Sequence, residues 1–132
     1  MGKLLSSKVS DEIAMRVLDK FMVAFNARSP RGLSATCNFP HLRLANGKFT
    51  VWETRADFEK DSELTVPLEH DWHRTEWDWR KVVQSSDKKV HVALSFTRYD
   101  EKGKKVSTFQ SLYIVTKQRN HWGVQARSSF AP

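Results

Sequence analysis

The sequence predicts an α+β fold in which helices from the N-terminal half lie on one face of a curved antiparallel sheet. Helical signals occur only before residue 63, whereas the chain from residue 72 alternates apolar and polar side chains between short turns. Asn46 and Gly47 separate two earlier alternating segments, and this pair predicts a hairpin because a two-residue turn needs positive φ at both positions. Long antiparallel strands twist, so such a sheet and a long helix enclose a conical space.

The first helix is predicted over residues 10–26. Ser10 is a candidate N-cap, and the two acids that follow it favour the positive end of a helix dipole. Apolar side chains then recur at steps of four residues, at Ile13, Val17, Phe21 and Phe25. This wide apolar stripe indicates a helix that covers a large surface.

Two shorter helices follow from capping signals. Ser29 can cap a second helix with Pro30 at its first position, ending near Thr36. Thr54 precedes a third short helix, predicted over residues 55–62.

The rest of the chain predicts a loop over residues 63–71 and then a meander of strands. The predicted strands are residues 72–83, 89–99, 104–117 and 121–130. On the second of these, His91 points away from the apolar face that carries Val92, Leu94 and Phe96. The opposite face, which carries His91, has small and polar side chains, and it suits either a wet cavity or solvent.

Length, charge and cysteine usage restrict the class of protein. The 132 residues predict a single domain over 1–132, and the lone cysteine, Cys37, allows no intrachain disulfide. No stretch approaches the roughly 20 apolar residues of a membrane span. The net charge of +7 comes from basic residues that are spread along the chain or lie beside turns, which favours solvated hairpin rims over a nucleic-acid surface. We therefore expect a cytoplasmic protein that binds neither membranes nor nucleic acid.

The order of elements, the chain length, the early hairpin LANGKFTVWE and the final strand HWGVQARSSF resemble the nuclear transport factor 2-like superfamily, and within it the SnoaL-like group. This resemblance implies a cone-shaped, curved mixed sheet with three helices, also called a cystatin-like roll. It implies a pocket inside the cone and a dimer interface on the outer face of the sheet. The superfamily includes isomerases, dehydratases, cyclases and non-catalytic modules, so the resemblance does not choose a reaction.

The acid–base patterns of the superfamily are matched only in part. Ketosteroid isomerases need a tyrosine in the first helix, where this chain has Phe21 and Phe25. Dehydratases use cavity histidines, and His41 and His91 are the candidates here because histidine titrates near neutral pH. A surface or structurally bonded histidine is the alternative for both.

The candidate ligand-binding residues are aromatic and polar side chains on predicted strands. Trp52 and Trp72 either wall a pocket for a flat apolar ligand or pack in the core. Gln125 and Arg127 share one face of the last strand, and Tyr113 is a candidate neighbour on the preceding strand. A buried arginine needs acceptors. The family resemblance implies a polar strip inside the cone, so we expect Gln125 and Arg127 to face the cone and orient an acidic or carbonyl-bearing ligand. The alternative is that they face outward and form a cross-strand network.

No metal site or cofactor is predicted. His70 and His73 are three residues apart, but on an extended segment they diverge, and no third ligand is near.

Two classes of function stay open. One is a protein that binds a small apolar or aromatic molecule, with or without acid–base catalysis; the other is a non-enzymatic homodimeric interaction module.

Overall fold

The computed structural model describes the backbone of residues 2–61 and 71–132, and the side chains from residue 8 onward within those ranges. Most of the predicted loop and His70 lie outside the described residues. The predicted α+β class is confirmed: in the described chain three helices, all before the third strand, accompany a single mixed sheet.

The helices of the described chain are α1 (Gly2–Asn26), α2 (Pro30–Ala35) and α3 (Arg55–Lys60). The predicted start of α1 is wrong, because the helix continues eight residues before Ser10. The Ser10 hydroxyl does not cap the helix; it donates to the backbone oxygen of Ser86 at 2.6 Å and joins α1 to a turn of the sheet. No helix within the described ranges is long and apolar enough to cross a membrane.

The two short helices begin where their capping residues predict. The Ser29 hydroxyl accepts a hydrogen bond from the Gly32 amide, and Pro30 occupies the first position of α2. The Thr54 hydroxyl accepts from the Asp57 amide at 3.1 Å. These bonds satisfy amides that have no partner within the first turn of a helix.

The sheet has six strands in the order β2-β1-β6-β5-β4-β3. They are β1 (Cys37–Ala45), β2 (Lys48–Trp52), β3 (Arg74–Ser85), β4 (Lys89–Tyr99), β5 (Lys105–Gln118) and β6 (His121–Ser129). β1 pairs with β6 in parallel, whereas the other neighbours are antiparallel. Asn46 and Gly47 have φ of 54° and 68°, so the predicted β1–β2 turn is confirmed.

We call the sheet face that packs against α1 the inner face, and the opposite one the outer face. On β4, Val90, Val92 and Leu94 lie on the inner face and are fully buried with Leu18 of α1. Burying each such side chain contributes about 1.5–3 kcal/mol. The core does not fill all of the space between the helices and the sheet, and a cavity lies there.

Candidate functional site: a cavity between the helices and the sheet

A cavity of about 470 Å³ lies between the inner face of the sheet and the helices. This volume lies within the range of about 300–1,000 Å³ that is usual for small-molecule sites. The lining residues come from α1, α3, every strand and adjoining segments: Phe21, Met22, Phe25, Arg43, Ala45, Asn46, Lys48, Trp52, Phe58, Asp61, Thr75, Trp77, Phe96, Arg98, Tyr113, Arg127, Ser129, Ala131 and Pro132.

One wall of the cavity consists of aromatic rings that meet edge to face. The ring of Tyr113 lies 5.6 Å from that of Phe21 and 5.7 Å from that of Trp77, at interplanar angles of 81° and 88°. Trp77 also meets Phe96 edge to face, and its indole N–H donates to the backbone oxygen of Leu18 at 3.3 Å. Edge-to-face contacts are the favoured arrangement of such rings, so this wall has a defined shape.

Another part of the lining is formed by Trp52 and Phe58, whose rings lie 5.3 Å apart at 70°. The Trp52 indole N–H donates to a carboxylate oxygen of Asp61 at 2.8 Å. This bond ties the end of α3 to β2 and fixes the orientation of the Trp52 ring.

Arg127 brings a positive charge to the cavity, although only 8% of the residue is exposed. Its Nε donates to Nε2 of His41 at 3.0 Å, and its guanidinium carbon lies 5.7 Å from the ring centre of Phe21 and 6.0 Å from that of Trp52. Among the described residues, no other hydrogen bond and no carboxylate partner reaches this guanidinium. Burying a cation without a paired anion lowers the stability of the fold, so the position of Arg127 indicates a role other than stabilisation.

His41 lies behind Arg127 and is completely buried. Its Nδ1 is 2.8 Å from the backbone oxygen of Val124 and its Nε2 accepts from Arg127, so Nδ1 carries the proton of a neutral ring. The pKa of His41 is lowered to about 3, chiefly by burial and also by the charge of Arg127, while the hydrogen bond to Val124 acts in the opposite direction. Since His41 contributes no cavity atom and both nitrogens are engaged, the predicted acid–base role does not fit its position. Its position suits it to orient Arg127.

Strand register places three polar residues side by side on the inner face. Arg43 of β1 is opposite Arg127 of β6, and Arg127 is opposite Tyr113 of β5. We call them the Arg43–Arg127–Tyr113 row. Within the described chain the Tyr113 hydroxyl makes no hydrogen bond, and all three residues line the cavity.

Basic side chains outnumber acidic ones in the described lining of the cavity. The described lining residues include four basic side chains, Arg43, Lys48, Arg98 and Arg127, and one acidic side chain, Asp61. Arg98 is buried beside the rings of Phe96 and Phe109, with its guanidinium carbon 5.0 Å from the centre of the latter. Low-dielectric walls strengthen the field of such charges.

Three of the predicted ligand-binding residues line the cavity together: Trp52, Tyr113 and Arg127. Trp72 does not, because its ring packs against Phe25 and under the guanidinium of Arg28 at 4.1 Å. His91 lies on the outer face and bonds the side chain of Gln84 at 2.9 Å. A ligand in the cavity is therefore out of reach of His91, and the acid–base role predicted for it does not fit this site.

The predicted common face of Gln125 and Arg127 is wrong because β6 contains a β-bulge. Ile114 is opposite Ala126 and the next residue of β5, Val115, is opposite Val124, so Gln125 is the extra residue. Its amide accepts from the Thr116 hydroxyl at 2.8 Å and donates to the backbone oxygen of Pro40 at 3.1 Å. Gln125 thus joins strands outside the cavity, and of these two residues only Arg127 lines it.

The cavity contains residues that the sequence reasoning did not select. A bulge at Asp78 separates Trp77 on the inner face from Trp79 on the outer face, whereas strict alternation puts both tryptophans on one side. Arg98 continues the apolar face of β4 two residues beyond Phe96, and this parity is the signal that could have identified it.

Nucleophilic and metal chemistry find no support in the described residues. Burial raises the pKa of the Cys37 thiol to about 11, with small opposing effects from Arg127 and Thr36, so the thiol stays protonated. No group of three histidine, cysteine, aspartate or glutamate side chains that could hold a metal ion occurs within residues 2–61 and 71–132.

A long helix and a curved mixed sheet around one apolar, basic cavity define a cone-shaped α+β protein. The family described as NTF2-like protein (DUF6841), where NTF2 is nuclear transport factor 2, matches residues 11–129. The chain therefore belongs to this family of nuclear transport factor 2-like proteins. A search of curated proteins found no match.

Solved structures share this fold at low sequence identity. A Nostoc punctiforme protein of unknown function with a cystatin-like fold has a TM-score of 0.73 at 10% identity, covering 90% of this chain and 88% of its own. An NTF2-like protein with a cystatin-like fold from Novosphingobium aromaticivorans has 0.73 at 9%, covering 97% and 83%. A ketosteroid isomerase-like protein from Erwinia carotovora atroseptica has 0.66 at 16%, covering 88% and 91%. These likenesses show the cystatin-like, cone-shaped fold and leave the activity open.

Proposed function

We propose that this protein binds a small apolar or aromatic molecule in its cavity, as a cytoplasmic, SnoaL-like member of the superfamily. The observation that carries the proposal is the cavity of about 470 Å³ whose walls are aromatic rings in fixed orientations. A hydrophobic pocket with few convergent polar groups is typical of small-molecule sites. Acid–base catalysis by His41 or His91 is not part of the proposal, because neither residue contributes an atom to the cavity lining.

A cavity-filling variant with a matched control tests this proposal. Ala45 lines the cavity, whereas Leu44, its neighbour on β1, is 49% exposed on the outer face. We expect 1-naphthamide, a flat neutral probe, to raise the melting temperature of the wild-type protein and of Leu44→Phe. The Ala45→Phe variant places a ring in the cavity, so it should lose that shift.

The proposal fails if the wild-type protein shows no shift with this probe in the thermal scan. It also fails if Ala45→Phe and Leu44→Phe respond equally, since a probe that ignores a filled cavity binds elsewhere. Isothermal titration of the same variants checks that the shift reports binding.

We also propose that two copies of this chain associate through the outer face. Four neighbouring strands carry an uncharged patch there, which we call the outer patch: Leu42, Leu44, Phe49, Val51, Leu112, Ile114, Ala126 and Ser128. Phe49 and Val51 are 63% and 40% exposed, and such a large apolar patch is unusual on a monomer. Because the chain carries a net charge of +7, an uncharged face is where two copies meet with least repulsion.

Light scattering under dilution tests the homodimer. We expect a dimer mass for the wild-type protein and for Val23→Glu, a control at a residue of α1 that is 71% exposed. Phe49→Glu places a charge in the outer patch and should give a monomer. A wild-type monomer at all concentrations, or a dimer that survives Phe49→Glu, contradicts the proposal.

A further inference from the structure

We infer that the ligand of the cavity is an anion, specifically an aromatic or apolar monocarboxylate whose carboxylate binds Arg127 between Arg43 and the Tyr113 hydroxyl. This inference rests on the proposed small-molecule site and adds the chemical class of its ligand. The carboxylate would bind at the Arg43–Arg127–Tyr113 row, and the body of the ligand would lie against the rings of Phe21 and Trp77.

The missing countercharge of Arg127 is the first step of the argument. The guanidinium is buried, and its one protein acceptor within the described chain is the neutral ring of His41. A buried guanidinium is stabilised when an anion with complementary hydrogen-bond acceptors lies beside it. Since the described residues provide no such anion, a ligand that enters the cavity can supply it.

The direction of the free donors is the second step. Nε of Arg127 is occupied by His41 at 3.0 Å, so the edge formed by the two terminal amino groups is left for a ligand. That edge presents two parallel N–H donors, and a carboxylate accepts both of them in a bidentate pair. His41 is in turn held by Val124, and it acts as a positioning residue for this edge.

The neighbours of Arg127 on the sheet are the third step. Arg43 lies directly opposite it on β1, and like charges in opposite positions on neighbouring strands repel each other. Arg43 also donates to the backbone oxygen of Pro132 at 3.3 Å. An anion between the two arginines converts this repulsion into attraction. On the other side, the hydroxyl of Tyr113 offers a further donor that no described residue uses.

The apolar part of the cavity determines the shape and polarity of the rest of the ligand. Phe21, Trp77 and Phe96 present ring faces and edges, which match a flat hydrocarbon body. A phosphate is strongly hydrated and needs hydrogen-bond donors on all sides, and these rings provide none. A carboxylate at one end of an apolar molecule fits both regions of the cavity.

Two probes of the same shape and different charge test the inference by isothermal titration at neutral pH. We expect 1-naphthoate to bind the wild-type protein at least about tenfold more tightly than 1-naphthamide. Arg127→Gln should weaken naphthoate much more than naphthamide and so remove the preference for the charged probe. The control is Arg28→Gln, which removes the same charge from an exposed position outside the cavity and should leave both affinities unchanged.

The outcomes separate this inference from the proposed function. Equal affinity of the two probes for the wild-type protein overturns the anionic ligand and leaves the small-molecule site intact, whereas binding of neither probe overturns both. If Arg127→Gln does not fold, Arg127→Lys and Arg43→Gln replace it: each should weaken naphthoate selectively, and an unchanged affinity in both contradicts the inference. Displacement of naphthoate by inorganic phosphate at equal concentration would show that the Arg43–Arg127–Tyr113 row binds phosphate, and it would contradict the inference of a carboxylate ligand.

Discussion

The inner and outer faces of the same sheet differ in a way that reverses the usual distribution of residues. The inner face buries the cation Arg127, of which 8% is exposed, whereas the outer face leaves 63% of Phe49 exposed to solvent. Soluble proteins ordinarily bury the phenylalanine and expose the arginine. Each reversal costs stability by itself, so each indicates a surface that meets something else: a ligand inside and a second copy outside.

The two faces are kept distinct by β-bulges as much as by alternation. The extra residues Asp78 and Gln125 change which side the following side chains take. As a result Trp77 lines the cavity while Trp79 is 47% exposed on the outer face. One strand can therefore supply both faces with aromatic residues.

The largest expected difference between the faces is in stability. Leu94→Ala on the inner face should lower the free energy of unfolding by about 3 kcal/mol, because the fully buried leucine leaves a cavity behind. Leu44→Ala on the outer face should lower it by less than about 1 kcal/mol, since that side chain is half exposed. Urea titration of both variants under monomeric conditions measures the two values. Equal losses would mean that the outer patch is part of the folding core.

A glycine sets the distance between the two strands that carry the arginines. A Cβ at Gly123 would lie 2.7 Å from the backbone carbon of Cys37 and 3.0 Å from the amide nitrogen of Asn38. Both atoms belong to the backbone and cannot move away easily. The clash should therefore make Gly123→Ala lower the free energy of unfolding by about 2 kcal/mol. It should also weaken naphthoate binding, because Arg43 and Arg127 separate. Ser128→Ala on the same strand is the control for both measurements, and a Gly123→Ala variant that matches it would contradict the prediction.

The buried histidine of the inner face predicts a pH dependence of stability. The folded pKa of His41 is about 3, below the ordinary value of about 6.5, so the unfolded chain binds a proton that the folded chain excludes. Stability should therefore be complete above pH 6.5 and fall as the pH drops toward 3, by about 2 kcal/mol between pH 7 and pH 5. His41→Gln should remove most of this slope in urea titrations at each pH. The outer-face variant His91→Gln should retain it, and parallel slopes for His41→Gln and the wild-type protein would contradict the prediction.

The smallest expected effect concerns the helix that supports the cavity wall. Thr54→Ala removes the hydroxyl that accepts from Asp57, and it should lower the free energy of unfolding by about 1 kcal/mol. Because α3 leads to Asp61, which holds the Trp52 indole, the same variant should broaden the indole signal of Trp52 in NMR spectra. An unchanged Trp52 signal together with lost stability would show that the Thr54 cap does not hold the Trp52 ring in place.

Local signals in the sequence were sufficient for most elements. Ser29, Pro30 and Thr54 predict helix starts because the chemistry that caps a helix lies within three residues. Asn46 and Gly47 predict the hairpin because both adopt positive φ. The family resemblance, carried by the element order and the final strand, led to the fold that the structure and the family match show.

The assignment of side chains to faces depended on contacts between distant strands, and there the sequence was insufficient. Alternation puts Gln125 with Arg127, and only the pairing of β6 with β5 shows that Gln125 is a bulge residue. The role of His41 depends on Arg127, which is 86 residues away along the chain. His91 could be assigned to one side of its strand, but periodicity could not determine which side faces the cavity.

The most direct test of the cavity as an anion site uses the tryptophans as reporters. Trp52 and Trp77 line the cavity, whereas Trp79 lies on the outer face and Trp122 lies at the far end of α1 beside Ile13. Titration with 1-naphthoate, followed through the indole N–H signals in ¹H–¹⁵N NMR spectra, should shift the signals of Trp52 and Trp77 and leave those of Trp79 and Trp122 in place. Shifts confined to Trp79, or no shift of any indole, would contradict a ligand site on the inner face.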